Sequence, residues 1–263
     1  MNKKTIAEKI RSKKAIISDM DGVIYHGNKL LPGVHEFVEW LKKENKQFLF
    51  LTNSSERTPT ELKEKLNRLG IDVPKTVFYT SALATAQFLN AQKPKGTAFI
   101  IGEAGLINAM YNVGYTMNNV DPDYVVVGET GSYSYEKIEK AINLVLKGAK
   151  LIGANPDMTG PGENGIVPAT KALIAPIELA TGKSAYFVGK PNPLMMRIAL
   201  KRLGISREES IIIGDRMDTD IIAGIESEID TCLVMSGISG KNTVDEFPYK
   251  PHYILDGVGD IVL

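Results

Sequence analysis

The fold is decided by the stretch Ile16-Ile17-Ser18-Asp19-Met20-Asp21-Gly22-Val23, in which a short apolar run ends in two carboxylates and a glycine. Such a run is typical of a buried strand that leads into a loop. Three later stretches have the same form: Phe48-Leu49-Phe50-Leu51-Thr52-Asn53, Val188-Gly189-Lys190-Pro191 and Ile211-Ile212-Ile213-Gly214-Asp215. In an open parallel sheet, ligands bind at the carboxyl ends of the strands. The four stretches therefore predict one site that contains carboxylates, a hydroxyl and a lysine.

Length and composition allow one large domain or two smaller ones, each with its own core. The chain has 263 residues, of which 43% are apolar and 24% charged, as in ordinary soluble globular proteins. Its 31 basic residues balance its 31 acidic ones, so no net charge favours nucleic acid or an anionic membrane. No segment resembles a signal peptide or a membrane span, and a single cysteine excludes an internal disulfide. We expect a cytoplasmic protein that binds neither nucleic acid nor membrane.

Strand and helix patterns alternate along the chain, which predicts an α/β fold with right-handed crossovers. The predicted strands are Ala15–Ser18, Phe48–Leu51, Val77–Tyr79, Thr97–Ile101, Tyr124–Val127, Leu151–Ala154, Ala185–Val188, Ser210–Ile213, Thr231–Met235 and Tyr253–Leu255. The predicted helices cover residues 34–45, 58–69, 81–91, 104–113, 135–147, 168–181, 193–203 and 218–226. Ile6, Ala7 and Ile10 predict a further short amphipathic helix that packs on the fold, with a basic nucleic-acid arm as the alternative.

The spacing of the four stretches predicts the domain organisation. Between Asp19 and Thr52 there is room for one helix and one strand, whereas the interval from Thr52 to Lys190 holds about a hundred residues beyond a crossover. We therefore predict a Rossmann-like parallel-sheet core made of residues 1–80 and 183–263. An α/β cap of residues 81–182 is inserted into it.

Asp19 and Asp21 have the spacing that suits phosphoryl transfer. Asp19 stands where the first strand ends, so its carboxylate can attack phosphorus and form an aspartyl-phosphate. Asp21 can then protonate the leaving oxygen and later activate water. Gly22 lets the turn approach a phosphate closely. Taken alone, Asp-x-Asp is also frequent in solvated turns.

The acids around the last stretch predict a metal site. Asp215 follows a strand, and together with Asp19 it can bind Mg²⁺, which prefers oxygen ligands. Asp220 is expected beside them, where it orients the ligands or a lysine. The alternative for Asp218 and Asp220 is a helix N-terminal acid that complements the helix dipole.

The other two stretches offer contacts for the phosphoryl oxygens. Thr52 and Asn53 provide a hydroxyl and backbone amides, and Lys190 provides a positive charge for the same oxygens and for Asp19. A lone Thr-Asn or Gly-Lys-Pro sequence is usually a turn. Their significance comes from the order in which all four stretches follow predicted strands.

Two other motifs are weaker. Gly160-Pro161-Gly162-Glu163-Asn164-Gly165 matches the dinucleotide-binding pattern, but no strand leads straight into its first glycine, and we expect a flexible loop over the site. Gly182-Lys183-Ser184 matches only the end of a phosphate-binding loop, because Ile177 stands where the earlier glycine is required. Neither motif predicts a nucleotide cofactor.

The combined pattern resembles the haloacid dehalogenase-like (HAD-like) phosphatases, and within them the NagD-like subfamily. Asp19-Met20-Asp21-Gly22-Val23 is similar to the first motif, Thr52-Asn53 to the second, Lys190 to the third and the stretch 214–220 to the fourth. Asn155-Pro156-Asp157 is similar to the loop of the cap that faces the substrate. The resemblance covers nearly the whole chain after Lys14.

The resemblance implies a role for each matched residue. Asp19 is expected to be nucleophile and metal ligand, and Asp21 to be acid/base and to bind the metal through its backbone carbonyl. Asp215 completes the protein ligands of Mg²⁺, while Asn155 and Asp157 contact the substrate.

Three functions remain open at this stage. The first is a magnesium-dependent phosphatase of small phosphorylated metabolites, with nucleoside monophosphates such as UMP as the first expectation and sugar phosphates or other small esters as the alternative. A non-catalytic regulator that binds phosphate esters is the second. The third is a phosphomutase, although such enzymes usually carry the cap between the first two motifs, where this chain has no room. The sequence indicates no particular oligomeric state.

Overall fold

The computed structural model describes residues 2–162 and 165–262 of the chain. In chain order its strands are β1 (Ala15–Ser18), β2 (Tyr25–His26), β3 (Lys29–Leu30), β4 (Gln47–Thr52), β5 (Phe78–Thr80), β6 (Thr97–Ile101), β7 (Thr116–Met117), β8 (Tyr124–Val127), β9 (Lys150–Gly153), β10 (Thr159–Gly162), β11 (Gly165–Pro168), β12 (Tyr186–Phe187), β13 (Ser210–Gly214), β14 (Asp230–Val234) and β15 (Tyr253–Leu255). Its α-helices are α1 (Lys3–Ser12), α2 (Val34–Lys43), α3 (Pro59–Arg68), α4 (Ser81–Gln92), α5 (Ala104–Asn112), α6 (Tyr135–Leu146), α7 (Thr170–Thr181), α8 (Pro193–Leu203), α9 (Ile222–Glu226) and α10 (Lys241–Asp245).

The chain folds into two compact units. The first comprises Met1–Thr52, Lys63–Tyr79 and Lys190–Leu263, and the second comprises Asn53–Leu62 and Thr80–Gly189. The α/β class, with a main parallel sheet and a separate inserted one, is confirmed. The domain boundaries predicted from the sequence, at residues 80/81 and 182/183, stay predictions.

The main sheet has the strand order β15-β14-β13-β1-β4-β5 within the described residues. The pairings from β15 to β4 are all parallel. Strand β1 lies between β13 and β4, and its residues are all buried. A parallel sheet covered on both faces needs continuous apolar strands, which is why these strands show no alternation of polar and apolar residues.

The second unit contains its own parallel sheet, in the order β12-β9-β8-β6-β7. Its core joins the central strand to helices α6 and α7. Val125 and Val127 of β8 pack with Leu144 of α6 and with Ile174 and Ile177 of α7. The apolar faces of both helices therefore cover the sheet, as the helical spacing predicts.

Helix α1 has the packing role that its apolar spacing predicts. It buries Ile6, Ala7 and Ile10, and Asn2 caps its first turn by accepting a hydrogen bond from Thr5 N at 2.9 Å. Lys3 forms a salt bridge with Asp260 at 2.9 Å. These contacts tie the N-terminal segment into the first unit.

One predicted helix begins differently from the expectation. The sequence predicts a regular helix over 218–226, but Met217–Ile221 forms a π-turn and α9 begins only at Ile222. The side chain of Asp220 accepts a hydrogen bond from Arg216 N at 3.2 Å. A wider turn that presents a side chain is a common device at functional sites.

The glycine-rich motif forms a hairpin. Strands β10 and β11 pair antiparallel, from Thr159 opposite Pro168 to Gly162 opposite Gly165. The expectation of a flexible loop is therefore wrong for the described part, and Glu163 and Asn164 lie outside the described residues. Because β10 leads into the antiparallel strand β11 and not into a helix, the dinucleotide-binding geometry is excluded as well.

The other weak motif is a helix end. Gly182 caps α7 in the left-handed conformation, with φ of 65°.

Across the described residues, no helix is both long enough and apolar enough to pass through a membrane.

Candidate functional site

The candidate site lies in the first unit, at the carboxyl ends of neighbouring parallel strands. In the register of the sheet, Ser18 of β1 lies opposite Ile213 of β13 and Phe50 of β4. Asp19 directly follows β1, and its amide donates to Ile213 O at 2.8 Å. Asp215 directly follows β13, and Thr52 ends β4. The strand order therefore places these three residues at one edge of the sheet.

Lys190 forms two buried ion pairs at this edge. Its Nζ lies 2.5 Å from Asp19 Oδ1 and 2.6 Å from Asp220 Oδ1, and its own side chain is almost fully buried. Burial lowers the pKa of Lys190, but the two carboxylates outweigh this effect and raise it overall. The lysine therefore stays charged and holds both aspartates in place.

Three carboxylates share this small volume. Each of Asp19, Asp215 and Asp220 offers an oxygen, and these oxygens lie within 4.8 Å of one another. With Lys190 charged, three ionised carboxylates give the buried group a net charge of −2. Burial raises the pKa of Asp19 well above its ordinary range; Lys190 opposes this shift, and the charges of Asp220 and Asp215 add to it.

The geometry of Asp215 fits a divalent cation. Its Oδ2 accepts a hydrogen bond from Ile238 N at 2.7 Å, but its Oδ1 is buried without a hydrogen-bond partner. Burial and the charge of Asp220 raise the pKa of Asp215 to about 7. A buried polar atom normally has a partner. A lone carboxylate oxygen in a buried cluster of excess negative charge is the donor set that a hard divalent cation prefers.

Two glycines leave room for these carboxylates. Gly22 has a φ of +80°, which favours glycine, and a Cβ at this position would overlap the carboxylate of Asp215. A Cβ on Gly214 would overlap the side chain of Asp220. A side chain at either position would therefore displace one of the clustered acids.

Asp21 is separate from the cluster of three carboxylates. It is partly exposed, and the hydroxyl of Tyr25 donates to its Oδ2 at 3.4 Å. Its predicted metal contact is made by the backbone carbonyl, and this contact stays a prediction. A partly exposed carboxyl group can exchange a proton with a leaving oxygen and with water, as a proton-transfer group must.

The remaining predicted residues lie in the second unit. Asn155 is fully buried, and its Nδ2 donates to Asn53 O at 2.7 Å and to Glu129 Oε1 at 2.6 Å. Its Oδ1 accepts from Asp157 N at 3.1 Å, which is an Asx-type turn. Asn53 Nδ2 donates to Asp157 Oδ2 at 2.9 Å. Asn155 therefore uses both amide hydrogens within the protein, whereas Asp157 is only partly buried.

The sequence reasoning missed Glu129 and Ser55, which belong to the same network. Glu129 Oε2 accepts from Ser55 N at 3.0 Å and also from its hydroxyl. A signal was present, because Glu129 follows strand β8 after a single glycine. Polar residues at the carboxyl ends of parallel strands mark candidate sites in the second sheet as well as in the main one.

Comparisons with known proteins identify the family of this chain. Residues 16–116 match the family described as haloacid dehalogenase-like hydrolase, and residues 187–261 match a second one described as HAD-hydrolase-like. The chain is 44% identical to a dihydroxyacetone phosphatase of Corynebacterium glutamicum, over 93% of this chain and 89% of that protein. It is 41% identical to the ribonucleotide monophosphatase NagD of Escherichia coli, over 94% of this chain and 98% of that protein.

The solved structure of NagD from E. coli K-12 matches with a TM-score of 0.89 at 40% identity, covering 94% of this chain and 98% of that one. The chain belongs to the haloacid dehalogenase-like hydrolases. Within them it is a member of the NagD-like subfamily, as the four motifs predict. Membership at this identity over nearly the full length makes the protein a phosphatase, a hydrolase of phosphoric monoesters.

Proposed function

We propose that this protein is a magnesium-dependent phosphatase of small phosphorylated metabolites that works through an aspartyl-phosphate on Asp19. Nucleoside monophosphates such as UMP are the first substrates to test. One observation carries the proposal: Asp19, Asp215 and Asp220 form a buried cluster of negative charge around Lys190, at the carboxyl ends of parallel strands.

Asp19 is the proposed nucleophile. Its carboxylate oxygen forms a bond to phosphorus while the bond from phosphorus to the leaving oxygen breaks, which gives an alcohol and the aspartyl-phosphate. Attack needs the ionised carboxylate, whose pKa is raised by burial. Lys190 Nζ, 2.5 Å from Asp19 Oδ1, favours that ionised form and holds the carboxylate in one orientation. Thr52 and Gly22 are proposed to hold the phosphoryl oxygens as the charge develops.

Asp21 is the proposed acid and base. In the first step it gives its proton to the leaving oxygen, and in the second it takes a proton from the water that attacks the phosphorus of the aspartyl-phosphate. The second step releases phosphate and restores Asp19. The hydroxyl of Tyr25 donates to Asp21, so Tyr25 can hold the carboxyl group in one orientation during both transfers.

The acids fit Mg²⁺ by number, charge and donor type. The proposed ligands are Asp19, Asp215 and the backbone carbonyl of Asp21, with Asp220 adjacent. Bound Mg²⁺ would neutralise the negative charge that otherwise keeps a phosphate dianion away from a carboxylate. Asp220, whose Oδ1 lies 2.6 Å from Lys190 Nζ, holds the lysine in place.

The leaving group is proposed to contact the second unit through the loop of Asn155 and Asp157. Asp157 is the better candidate for a direct contact, because both amide hydrogens of Asn155 are already donated to protein acceptors. Asn53, which bonds to Asp157, is proposed to join the substrate contacts at the phosphoryl end. Every ester presents the same phosphoryl group to Asp19, so contacts to the rest of the substrate are the ones expected to set specificity.

A second substrate class has specific support. The relative from C. glutamicum, at 44% identity, is a phosphatase of dihydroxyacetone phosphate, whereas the E. coli relative, at 41%, acts on ribonucleotides. Dihydroxyacetone phosphate and other sugar phosphates are therefore the alternative to UMP. All of them present the same phosphate monoester to Asp19.

A screen of phosphorylated metabolites tests the proposal. Purified protein is incubated with nucleoside monophosphates, sugar phosphates, dihydroxyacetone phosphate and 4-nitrophenyl phosphate, with Mg²⁺ or with EDTA, and free phosphate is measured. We expect phosphate release that requires Mg²⁺ and favours one ester class. Binding without release would instead indicate a regulator. Transfer of the phosphoryl group within the substrate, without release, would indicate a mutase.

A further inference from the structure

Glu129 is a carboxylate with no assigned role in phosphoryl transfer, yet it is surrounded by hydrogen-bond donors. One oxygen accepts from Ser55 N at 3.0 Å and from the hydroxyl of Ser55, and the other accepts from Asn155 Nδ2 at 2.6 Å. In return, Glu129 N donates to Ser55 Oγ at 3.1 Å. All three residues belong to the second unit, so the network is internal to it.

Asn155 connects Glu129 to the loop that carries Asp157. Its Nδ2 bridges Glu129 Oε1 and Asn53 O, and its Oδ1 accepts from Asp157 N at 3.1 Å. The side chain of Asp157 is in turn held by Asn53 Nδ2 at 2.9 Å. Asp157 is therefore fixed at its backbone by Asn155 and at its side chain by Asn53, and Glu129 fixes the orientation of Asn155.

A carboxylate is the group that this position requires. The two oxygens of Glu129 accept three hydrogen bonds from neutral donors, and a glutamine could not accept all of them because one of its two terminal atoms is a donor. Hydrogen bonds to an ionised acceptor are about twice as strong as those between neutral groups. Substitution by glutamine therefore turns at least one contact of this network into a clash of two donors.

We propose that Glu129 is a positioning residue for substrate specificity: it locks Asn155, and through Asn155 it aims Asp157 at the leaving group of the substrate. The inference rests on the proposed function. Glu129 and its donors Ser55 and Asn155 lie outside the group of Asp19, Asp21, Lys190 and Asp215, so its loss changes the choice among leaving groups rather than phosphoryl transfer itself.

The test compares Glu129→Gln with Glu178→Gln as a matched control. Glu178 is also partly buried in the second unit, and it accepts a single backbone hydrogen bond, from Ala185 N at 2.6 Å, which a glutamine can still accept. The values of kcat and KM are measured for UMP, dihydroxyacetone phosphate and 4-nitrophenyl phosphate. For Glu129→Gln we expect kcat/KM to fall about tenfold on the best metabolite and to stay within about twofold on 4-nitrophenyl phosphate. The control changes on neither.

A double variant tests the route through Asn155. Asn155→Ala alone should lower kcat/KM on the metabolite, and adding Glu129→Gln should lower it little further, because both changes release the same loop. An equal fall on all three substrates, in step with a loss of thermal stability, would overturn the proposal, as would unchanged ratios among substrates. Additive effects of the two substitutions would overturn the route through Asn155.

Hydrogen exchange separates this inference from the proposed function. The amide of Asp157 is held by Asn155, so Glu129→Gln should speed its exchange at least about fivefold, whereas Glu178→Gln should not. This readout does not depend on turnover. If wild-type protein releases phosphate from none of the esters, the proposed function fails while the exchange result still reports on the anchoring. Unchanged exchange at Asp157 in Glu129→Gln would overturn the positioning role.

Discussion

Both parallel sheets carry acids at the carboxyl ends of their strands, and the two groups differ in how their charge is balanced. In the first unit, Asp19, Asp215 and Asp220 share one lysine, and one carboxylate oxygen is buried without a hydrogen-bond partner. In the second unit, Glu129 has neutral partners, and both of its oxygens accept hydrogen bonds.

This difference separates a reactive group from a supporting one. Glu129 already accepts three hydrogen bonds from its neighbours, which suits a group that holds them in place. The unbalanced cluster loses stability through desolvation and repulsion, and a bound cation can relieve the repulsion. The contrast predicts that removing charge from the first group abolishes activity at little structural cost, whereas removing charge from the second mainly changes the loop it supports.

The largest expected effect is that of Asp19→Asn. The amide has nearly the same shape but is a poor nucleophile, so kcat should fall about a thousandfold or more. Stability should change little, because the substitution also removes one of three mutually repelling carboxylates. Steady-state kinetics and a thermal melt of the same preparation check both statements. Retention of more than about a hundredth of wild-type kcat would rule out covalent catalysis by Asp19.

Asp21→Asn sharpens the comparison within the first unit, because Asp21 lies outside the buried cluster. Loss of the proton-transfer group should slow UMP hydrolysis about a hundredfold. The formation of the aspartyl-phosphate from 4-nitrophenyl phosphate should suffer less, because that leaving group needs little protonation. Burst kinetics on the two esters provide the measurement. Bursts slowed equally on both esters would contradict the assignment of Asp21 as acid.

Metal binding gives a smaller effect that is read out on stability. Mg²⁺ at about thirty times its Kd should stabilise the folded protein by roughly 2 kcal/mol, seen as a rise in Tm. Asp215→Asn should lose most of this rise. The matched control is Asp218→Asn, because Asp218 is exposed and pairs with Arg216 at 2.7 Å rather than with the cluster. A rise in Tm that survives in Asp215→Asn would place the metal elsewhere.

Most of the fold follows from the sequence because buried parallel strands and amphipathic helices leave strong patterns. Strand β1 and the central strands β6 and β8 have the predicted bounds, as does helix α8, which begins at Pro193 after the capping side chain of Asn192. Weak elements were missed, among them the short hairpin of β2 and β3 and the glycine-rich β10 and β11. Two-residue strands and strands of glycine and proline carry no periodic signal.

The candidate site was predictable where it depends on strand ends, and less so where it depends on loops. The structure brings Asp19, Asp215, Asp220 and Lys190 together, as the order of the motifs predicts. The inward orientation of Asn155 was not predictable, because a loop carries no rule for which side chain is buried. The position of Glu129 after a strand was a usable signal, but its donors Ser55 and Asn155 are distant in sequence, so their contacts with it could not be predicted.

The smallest effect concerns the pH dependence of stability that Glu129 contributes. Burial raises the pKa of Glu129 above its ordinary 4.5, and the hydrogen bonds from Ser55 and Asn155 offset this only in part. The folded protein therefore holds the proton more tightly than the unfolded chain does. The stability from this linkage is fully present below about pH 4.5 and is lost as the pH rises through the folded pKa, by at most about 1.4 kcal/mol per pH unit.

Glu129→Gln has no such proton, so the Tm of wild type minus that of the variant should fall as the pH is raised through this window. Both proteins contain Asp19 and Asp215, so the titration of these two residues cancels in the difference between the two Tm values. A Tm difference that rises with pH would mean that folding stabilises the charged form of Glu129. That result would contradict the direction of the pKa shift on which this prediction depends.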